Sequence, residues 1–398
     1  MTSARLPVAM AAESRPTTRT QTKAPVVMLL VANIGVGGAE RHTVQLANLL
    51  AGRFDVVLGY LKADQAAAAG LHPNGLKAVA CLDVKKRIDW AAVKRLAQLI
   101  TTSEVDVVLC ANAFPLLYVQ LARLICRRHF EVVEIYHTTL VTSLAARLKL
   151  LIYRPLFWLS ARLVFVCNAQ RRHCVRRGIW ARRMTVIHNG IDIDHFSNSL
   201  PESNEALRSK YGFKANHRVV GLCAVFRPEK AHGDLLQAIH RLKKAGVVWK
   251  VLLIGDGPTR PAIEAEILRL GLSDDVRITG YVDDVRGAIS ACDVMALPSV
   301  AIETFSIAAL EAMALGKPMI MSDVGGAAEL IRPGIEGWLF PPGDIEKLAA
   351  LLTTMVDESR CTAMGAAARR RVERHFSQET MLDRYVALLN GLAERTGN

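Results

Sequence analysis

The chain has 398 residues, 51% of them hydrophobic, and carries 50 Lys and Arg against 37 Asp and Glu, a formal net charge of +13. That length exceeds one compact core and implies two domains of about 150 to 200 residues each. No apolar run approaches the ~20 residues of a membrane span, and no nucleic-acid reader motif accompanies the basic charge, which excludes an integral membrane protein and a nucleic-acid binder.

Residues 1–24 are rich in Ser, Thr, Pro and Arg and lack the apolar h-region of a signal peptide, so they predict a disordered leader. Short β-branched runs follow at 25–33, 54–60, 105–112, 131–137, 163–168 and 184–190, with helical patterns such as AERHTVQLANLLAG and WAAVKRLAQLITT between them. The alternation repeats at 218–225, 249–257, 276–282, 294–299, 317–323 and 337–340. Continuous apolar strands alternating with helices indicate parallel sheets covered on both faces. The expected fold class is therefore α/β, with two Rossmann-like, doubly wound domains facing across a cleft. Residues 25–195 form the first and 205–375 the second, with the polar stretch 192–210 as linker. Apolar positions at helical spacing from Met381 to Leu392 predict a C-terminal helix within 376–398, placed to pack back on the first domain. Ligands belong at the carboxyl ends of the strands.

The eight cysteines are scattered without a CxxC pair and several lie in apolar strands, which favours free buried thiols of a reducing cytosol over disulfides or zinc. Charge is uneven. Residues 1–200 hold 26 Lys and Arg against 12 Asp and Glu, a balance of +14; the remaining 24 and 25 give −1. The first half should face something anionic.

Four clusters carry chemistry. ANIGVGGAER follows a strand and opens a helix, where backbone amides at Gly35, Gly37 and Gly38 can hold a phosphate or simply form a tight turn; Glu40 stands where a dinucleotide fingerprint needs its third glycine. In AVFRPEKAHGDLL, Arg227 and Lys230 sit at a helix N-terminus, where two cations oppose the dipole unless an anion neutralises them. In LLIGDGP, the Gly255-Asp256-Gly257 turn can lie along a base or sugar, and Asp256 can equally be a helix cap. In ETFSIAALEAMALGKP, two carboxylates interrupt an apolar helix. With Glu303 just before the first helical turn, Glu311 would lie roughly 12 Å along the axis, a span that suits a sugar nucleotide. The amides of Thr304, Phe305 and Ser306 would meet the phosphates between them.

These features, in this order, resemble the retaining glycosyltransferases of the GT-B fold, family 4. The resemblance spans residues 26 to about 345 and rests on GGAER, the NGID of Asn189–Asp192, the R-x-x-K loop, GDGP, the E-x7-E pair, VGGAAELI and GWLFPPGD. It implies that Glu311 binds the donor ribose, that Glu303 contacts the donor sugar, and that Arg227 and Lys230 neutralise the diphosphate and stabilise it as leaving group. His137 would face the donor across the cleft, and Gly37 and Gly38 would lie beneath acceptor and phosphates. No metal and no cofactor is expected, the nucleotide sugar being a substrate. Two departures stand out. ETFS replaces E-G-[FL]-[GP], so Thr304 should tighten the donor pocket. Lys230-Ala-His-Gly replaces Lys-Gly, which should lengthen the turn.

Between 143 and 183, Arg147, Lys149, Arg154 and Arg162 interleave with Leu148, Leu151, Ile152, Phe157 and Trp158. That pattern suits an anionic membrane surface or an ordinary core helix with a basic outer face. The reading is a cytoplasmic enzyme, peripheral on the inner face of the cell membrane, transferring a sugar from a UDP- or GDP-linked donor to a glycan or lipid-linked acceptor. The alternatives are a sugar-nucleotide epimerase of similar fold and a non-catalytic membrane-associated scaffold.

Overall fold

The structure, a computed structural model, describes residues 24–34, 38–62, 71–137, 151, 153–197, 202–301 and 303–396. They form two compact units. The first comprises Met1–Val166, Arg171–Ile187 and Leu382–Asn398; the second comprises Cys167–Gln170 and His188–Met381.

The first unit is built on a parallel sheet of seven strands: β1 (Val26–Val31), β2 (Asp55–Tyr60), β3 (Ala78–Cys81), β4 (Val107–Ala111), β5 (Glu131–Tyr136), β6 (Arg162–Phe165) and β7 (Met184–Val186). Their spatial order is β3-β2-β1-β4-β5-β6-β7. Every residue of β1 is buried, as expected of a strand covered on both faces. The helix Trp90–Thr102 starts where Asp89 accepts the amides of Ala91 and Ala92, and buries Val93, Leu96, Ala97 and Ile100. Full burial of a Val, Leu or Ile side chain contributes roughly 1.5–3 kcal/mol. Strand β3 is absent from the sequence reading: its Ala78-Val79-Ala80-Cys81 is small, half-exposed and at the sheet edge, so it lacks a continuous apolar signal.

The second unit holds six parallel strands in the order β10-β9-β8-β11-β12-β13. They are β8 (Val219–Cys223), β9 (Lys250–Ile254), β10 (Val276–Ile278), β11 (Val294–Leu297), β12 (Met319–Ser322) and β13 (Gly337–Phe340), all six within the expected runs. The polar stretch 192–210 does not mark the boundary, since His188 to Asp192 already belong to the second unit. The reason is packing: a side chain at Gly190 would meet the Ser377 carbonyl at 2.6 Å, and Ile191 bridges Ser377. Residues Asn204–Lys210 of that stretch form a helix capped by Ser203.

The helix Gln378–Thr396 continues past Met381 into the first unit, where Tyr385 and Leu389 are fully buried. All eight cysteines carry free thiols, six of them buried. Among the described residues no helix is long and apolar enough to cross a membrane. One core group breaks the apolar pattern. Glu134, on β5, is fully buried with neither carboxyl oxygen hydrogen-bonded, and burial pushes its pKa well above the ordinary carboxylate range.

Candidate active site

In both sheets all strands are parallel and the strand order reverses between the first strand and its neighbour across the sheet, β1 beside β4 and β8 beside β11. Loops leaving the carboxyl ends of such a pair flank the crevice where open α/β sheets bind ligands. The sequence-selected residues of the second unit fall on those loops.

After β8 the chain passes Arg227 and enters a 3₁₀ turn, Pro228–Lys230. Ala231 then takes the left-handed conformation, φ 51° and ψ 46°, and the helix His232–Lys244 begins at once. The departure at this point places an alanine in a conformation that favours glycine. Arg227 is exposed and Lys230 half-buried. Buried His232 packs on Phe226, and burial, with the nearby Lys230 charge, lowers its pKa to about 4.

After β11 the chain brings Glu303 to Lys230, whose ammonium donates to Glu303 Oε2. Ser299 Oγ donates to the same oxygen at 3.1 Å. The two loops are also joined by the Val300 amide to the Glu229 carbonyl, and Ser322 Oγ donates to the Ser299 carbonyl. The Glu303 carboxylate is only 13% exposed, so the ammonium and hydroxyl compensate a charge that would be costly alone.

The helix carrying Glu311 runs Ile307–Ala314, so three residues separate Glu303 from its first turn. The helical-rise argument for the distance between the two carboxylates therefore does not hold over the whole interval. Ser306 is the N-cap, its Oγ accepting the Ala309 amide at 3.2 Å. Phe305 is buried against His188 and Phe376, with its carbonyl accepting Asn189 Nδ2. The side chains of Phe305 and Ser306 thus pack and cap. Glu311 lies close enough to Cys223, at the end of β8, to raise its thiol pKa further after burial has done so.

Gly325 and Gly326, after β12, explain the VGGAAELI motif. The Gly326 amide donates to the Thr304 carbonyl at 2.8 Å, and at Gly325, φ 62°, a side chain would fall 1.4 Å from the Glu303 carbonyl oxygen. Only glycine allows this approach. Gly255, φ 133°, is a similar case, since a side chain there would meet the Ala224 carbonyl at 2.3 Å. At Gly257 a side chain would meet the Phe226 carbonyl oxygen at 2.6 Å. Asp256 accepts the Gly257 amide and pairs with the Arg260 side chain, but it does not cap the helix Arg260–Arg269, whose N-cap position is Thr259 and which has no side-chain cap hydrogen bond.

Glu329, in the same motif, was not singled out from sequence. Its carboxylate accepts the amides of Asn168 and Ala169, the Asn168 side-chain amide and His188 Nε2, all between 2.7 and 3.0 Å. Burial alone would raise its pKa, but these hydrogen bonds hold it at about 2.

In the first unit, His137 follows β5 and its backbone amide donates to Asn112 Oδ1 at 3.2 Å. Asn112 follows β4 with φ 72° and ψ 163°, a conformation foreign to most side chains. The His137 ring stacks edge-on against His42 at 4.8 Å, and His42 lies 6.4 Å from Tyr385. Burial lowers the His42 pKa to about 4, and burial plus His42 takes His137 well below the ordinary histidine value, so both rings are neutral near pH 7. His42, Asn112 and Tyr385 escaped the sequence reading; the one available signal was a histidine four positions before Leu46, on the buried face of the amphipathic helix Gly38–Leu50. Gly38 opens the helix Gly38–Leu50, whereas Gly35 and Gly37 lie outside the described residues. So do Arg147, Leu148, Lys149 and Ile152 of the basic segment. Of the rest, Phe157 belongs to the core, while Trp158 and Trp180 are about half exposed, stack at 5.8 Å and carry Arg182 over the Trp158 ring.

Comparison with known proteins agrees with this frame. Residues 203–371 match the family model for glycosyl transferases group 1, and residues 36–195 match that for glycosyltransferase family 4. A GDP-mannose-dependent monoacylated alpha-(1-6)-phosphatidylinositol monomannoside mannosyltransferase of Corynebacterium glutamicum is 31% identical over 50% of this chain and 54% of its own length. The amylovoran biosynthesis glycosyltransferase AmsK of Erwinia amylovora is 27% identical over 61% of this chain and 59% of its own. The chain thus spans somewhat over half the length of these relatives. The crystal structure of Anabaena HepE in complex with UDP and glucose superposes with a TM-score of 0.80 at 25% identity, covering 92% of this chain and 99% of that one. The two Rossmann-like sheets are those of the GT-B class. With both models together matching most of its length, the chain belongs to the group 1, family 4 glycosyltransferases.

Proposed function

We propose that the protein is a retaining glycosyltransferase that moves a sugar from a UDP- or GDP-linked donor to a hydroxyl of a glycan or lipid-linked acceptor. The observation that carries the reading is the Lys230–Glu303 couple, assembled from two loops at the β8–β11 reversal and backed by glycines that admit no side chain. Arg227 and Lys230 supply the cations for a diphosphate, Glu303 accepts hydrogen bonds from sugar hydroxyls, and Glu311 accepts those of a ribose. Gly255 and Gly257 give the base or sugar a backbone to lie on, as do the amides near Thr304, Phe305 and Ser306 for phosphates. Gly35, Gly37 and Gly38 are assigned from sequence to the phosphate and acceptor loop. HepE binds UDP and glucose, which supports a nucleotide-sugar donor.

Without donor, Lys230 neutralises Glu303. A diphosphate competes for the ammonium and frees the carboxylate for the sugar. As the glycosidic C–O bond breaks, its electron pair leaves with the diphosphate, whose growing charge Arg227 and Lys230 stabilise. The acceptor oxygen bonds to the same face of the anomeric carbon and its proton passes to the departing diphosphate. His137, neutral and held by Asn112, is a hydrogen-bond partner for a sugar hydroxyl and not a charged acid. No metal or other cofactor enters the scheme. The exposed Trp158–Trp180 pair with Arg182 supports peripheral seating on an anionic cytoplasmic membrane surface.

Incubation with a panel of UDP- and GDP-sugars, following nucleotide release, tests the reading. Release from at least one donor, abolished in Lys230→Ala and Glu311→Ala, is expected. Interconversion of sugars without release would assign an epimerase, and neither binding nor turnover would assign a scaffold.

A further inference from the structure

Outside the residues discussed so far, one pocket of about 360 Å³ in the first unit is lined by Lys62, Lys85, Lys86, Arg87 and Phe114. We infer that it binds a phosphate group of the acceptor; this rests on the transferase reading and names the acceptor's chemical class.

The pocket lies where an acceptor site belongs. Lys62 follows β2, and its amide donates to the carbonyl of Ala32, the residue after β1. Phe114 lies in the first turn after β4. All five residues therefore sit at the carboxyl end of the sheet, next to the segment that opens the glycine loop.

The loop bearing three of the cations is built and not merely solvated. Fully buried Tyr118 donates from its hydroxyl to the carbonyls of Lys86 and Arg87 and accepts the Asp89 amide. The Arg95 guanidinium donates to the carbonyls of Leu82 and Asp83, and Asp89 Oδ2 accepts the Lys85 amide. With the backbone turned inward and pinned, the side chains of Lys85, Lys86 and Arg87 are left exposed. Lys85 has a loose, exposed contact with Asp83 at 3.5 Å. Among the described residues Lys62, Lys86 and Arg87 form no ion pair, and Lys62 instead lies 5.9 Å from the centroid of the Phe114 ring. Four cations converging on one pocket repel one another until an anion with several acceptor oxygens joins them. A phosphate offers that number of acceptors to a mix of Lys point charges and an Arg fork. Phe114 gives the pocket one apolar wall, suited to the adjoining sugar ring.

The phosphate can belong to a soluble sugar phosphate or to a lipid phosphate. Both are tested in the full chain carrying Arg227→Gln, Lys230→Met and Glu303→Gln, so that the cations of the second unit do not contribute and no buried carboxylate is left unpaired. Glucose 1-phosphate is titrated by calorimetry, and flotation is measured with phosphatidylcholine vesicles with and without phosphatidic acid. Adding Lys62→Gln, Lys86→Gln and Arg87→Gln, all exposed, should weaken binding about tenfold or more in one arm, and the arm affected identifies the source. Equal binding with and without the three substitutions in both arms, or no binding in either, would overturn the inference. Failure of the transferase reading is separate and would show as no nucleotide release from any donor by the wild-type chain.

Discussion

The side-chain oxygen of Asn112 accepts the backbone amide of His137 at 3.2 Å, and it does so from a residue held at φ 72° and ψ 163°. Strain of this kind costs on the order of 1–3 kcal/mol and persists where surrounding structure enforces it. It fixes the end of β5, from which the neutral His137 ring projects against His42. Asn112→Gly removes the strain and the hydrogen bond together. We expect it to leave the melting temperature near wild type while lowering kcat, whereas Asn112→Ala keeps the strain and also loses stability. If both variants turn over like wild type, Asn112 has no positioning role.

Lys230 and Glu303 give a test that separates charge balance from chemistry. Lys230→Ala leaves a largely buried carboxylate unpaired and should destabilise the second unit by about 3 kcal/mol. Lys230→Met with Glu303→Gln restores neutrality, so chemical denaturation should show most of that stability recovered. Activity should remain lower by about two to three orders of magnitude in both, because the leaving group loses its cation. An active double variant would remove the couple from the reaction.

Glu329 sets a pH limit. Its folded pKa of about 2 lies below the ordinary 4.5, so its stabilisation is complete above about pH 4.5 and is lost as pH falls toward 2. The shift corresponds to about 3 kcal/mol, on the usual conversion of 1.36 kcal/mol per unit. Glu329→Gln should lower the melting temperature at pH 7 and narrow its gap to wild type at acidic pH. A gap that stays constant with pH would place the loss elsewhere.

Ala231 offers a gain in stability. At φ 51° a non-glycine residue is disfavoured by roughly 1 kcal/mol or somewhat more. Ala231→Gly should therefore stabilise the protein by a fraction of that amount, after the greater unfolded-chain entropy of glycine is subtracted. A lower denaturation midpoint would show that the strain is relieved by packing.

Legibility from sequence followed the physics of each element. Twelve strands were readable because continuous apolar runs report burial on both faces, and β3 was not, because small residues at an edge carry little of that signal. Arg227, Lys230 and Glu303 were readable as charges in places where charge is unfavourable. Their pairing was not, since it depends on which strands are neighbours in the sheet. His42, Asn112, His137 and Tyr385 come from four distant segments, and no local pattern announces that they meet. Glu329 was visible as part of a motif, but its hydrogen bonds go to residues some 160 positions away. Ala231 shows the reverse case: the sequence revealed a departure, and only the backbone angles revealed its meaning.

The lone carboxyl of Glu134 makes folding a proton-consuming event. The buried group stays protonated where the unfolded chain has already ionised it, so above about pH 4.5, and up to the raised pKa of the buried group, unfolding releases this proton to the solvent. Unfolding heats measured in acetate and in MES buffers, both of which take up protons in this range, should then differ by the buffers' own heats of protonation. That difference should change by one proton's worth in Glu134→Gln, which should also be the more stable protein as pH rises. The core of the first unit thus keeps a calorimetric record of its own assembly, independent of any substrate.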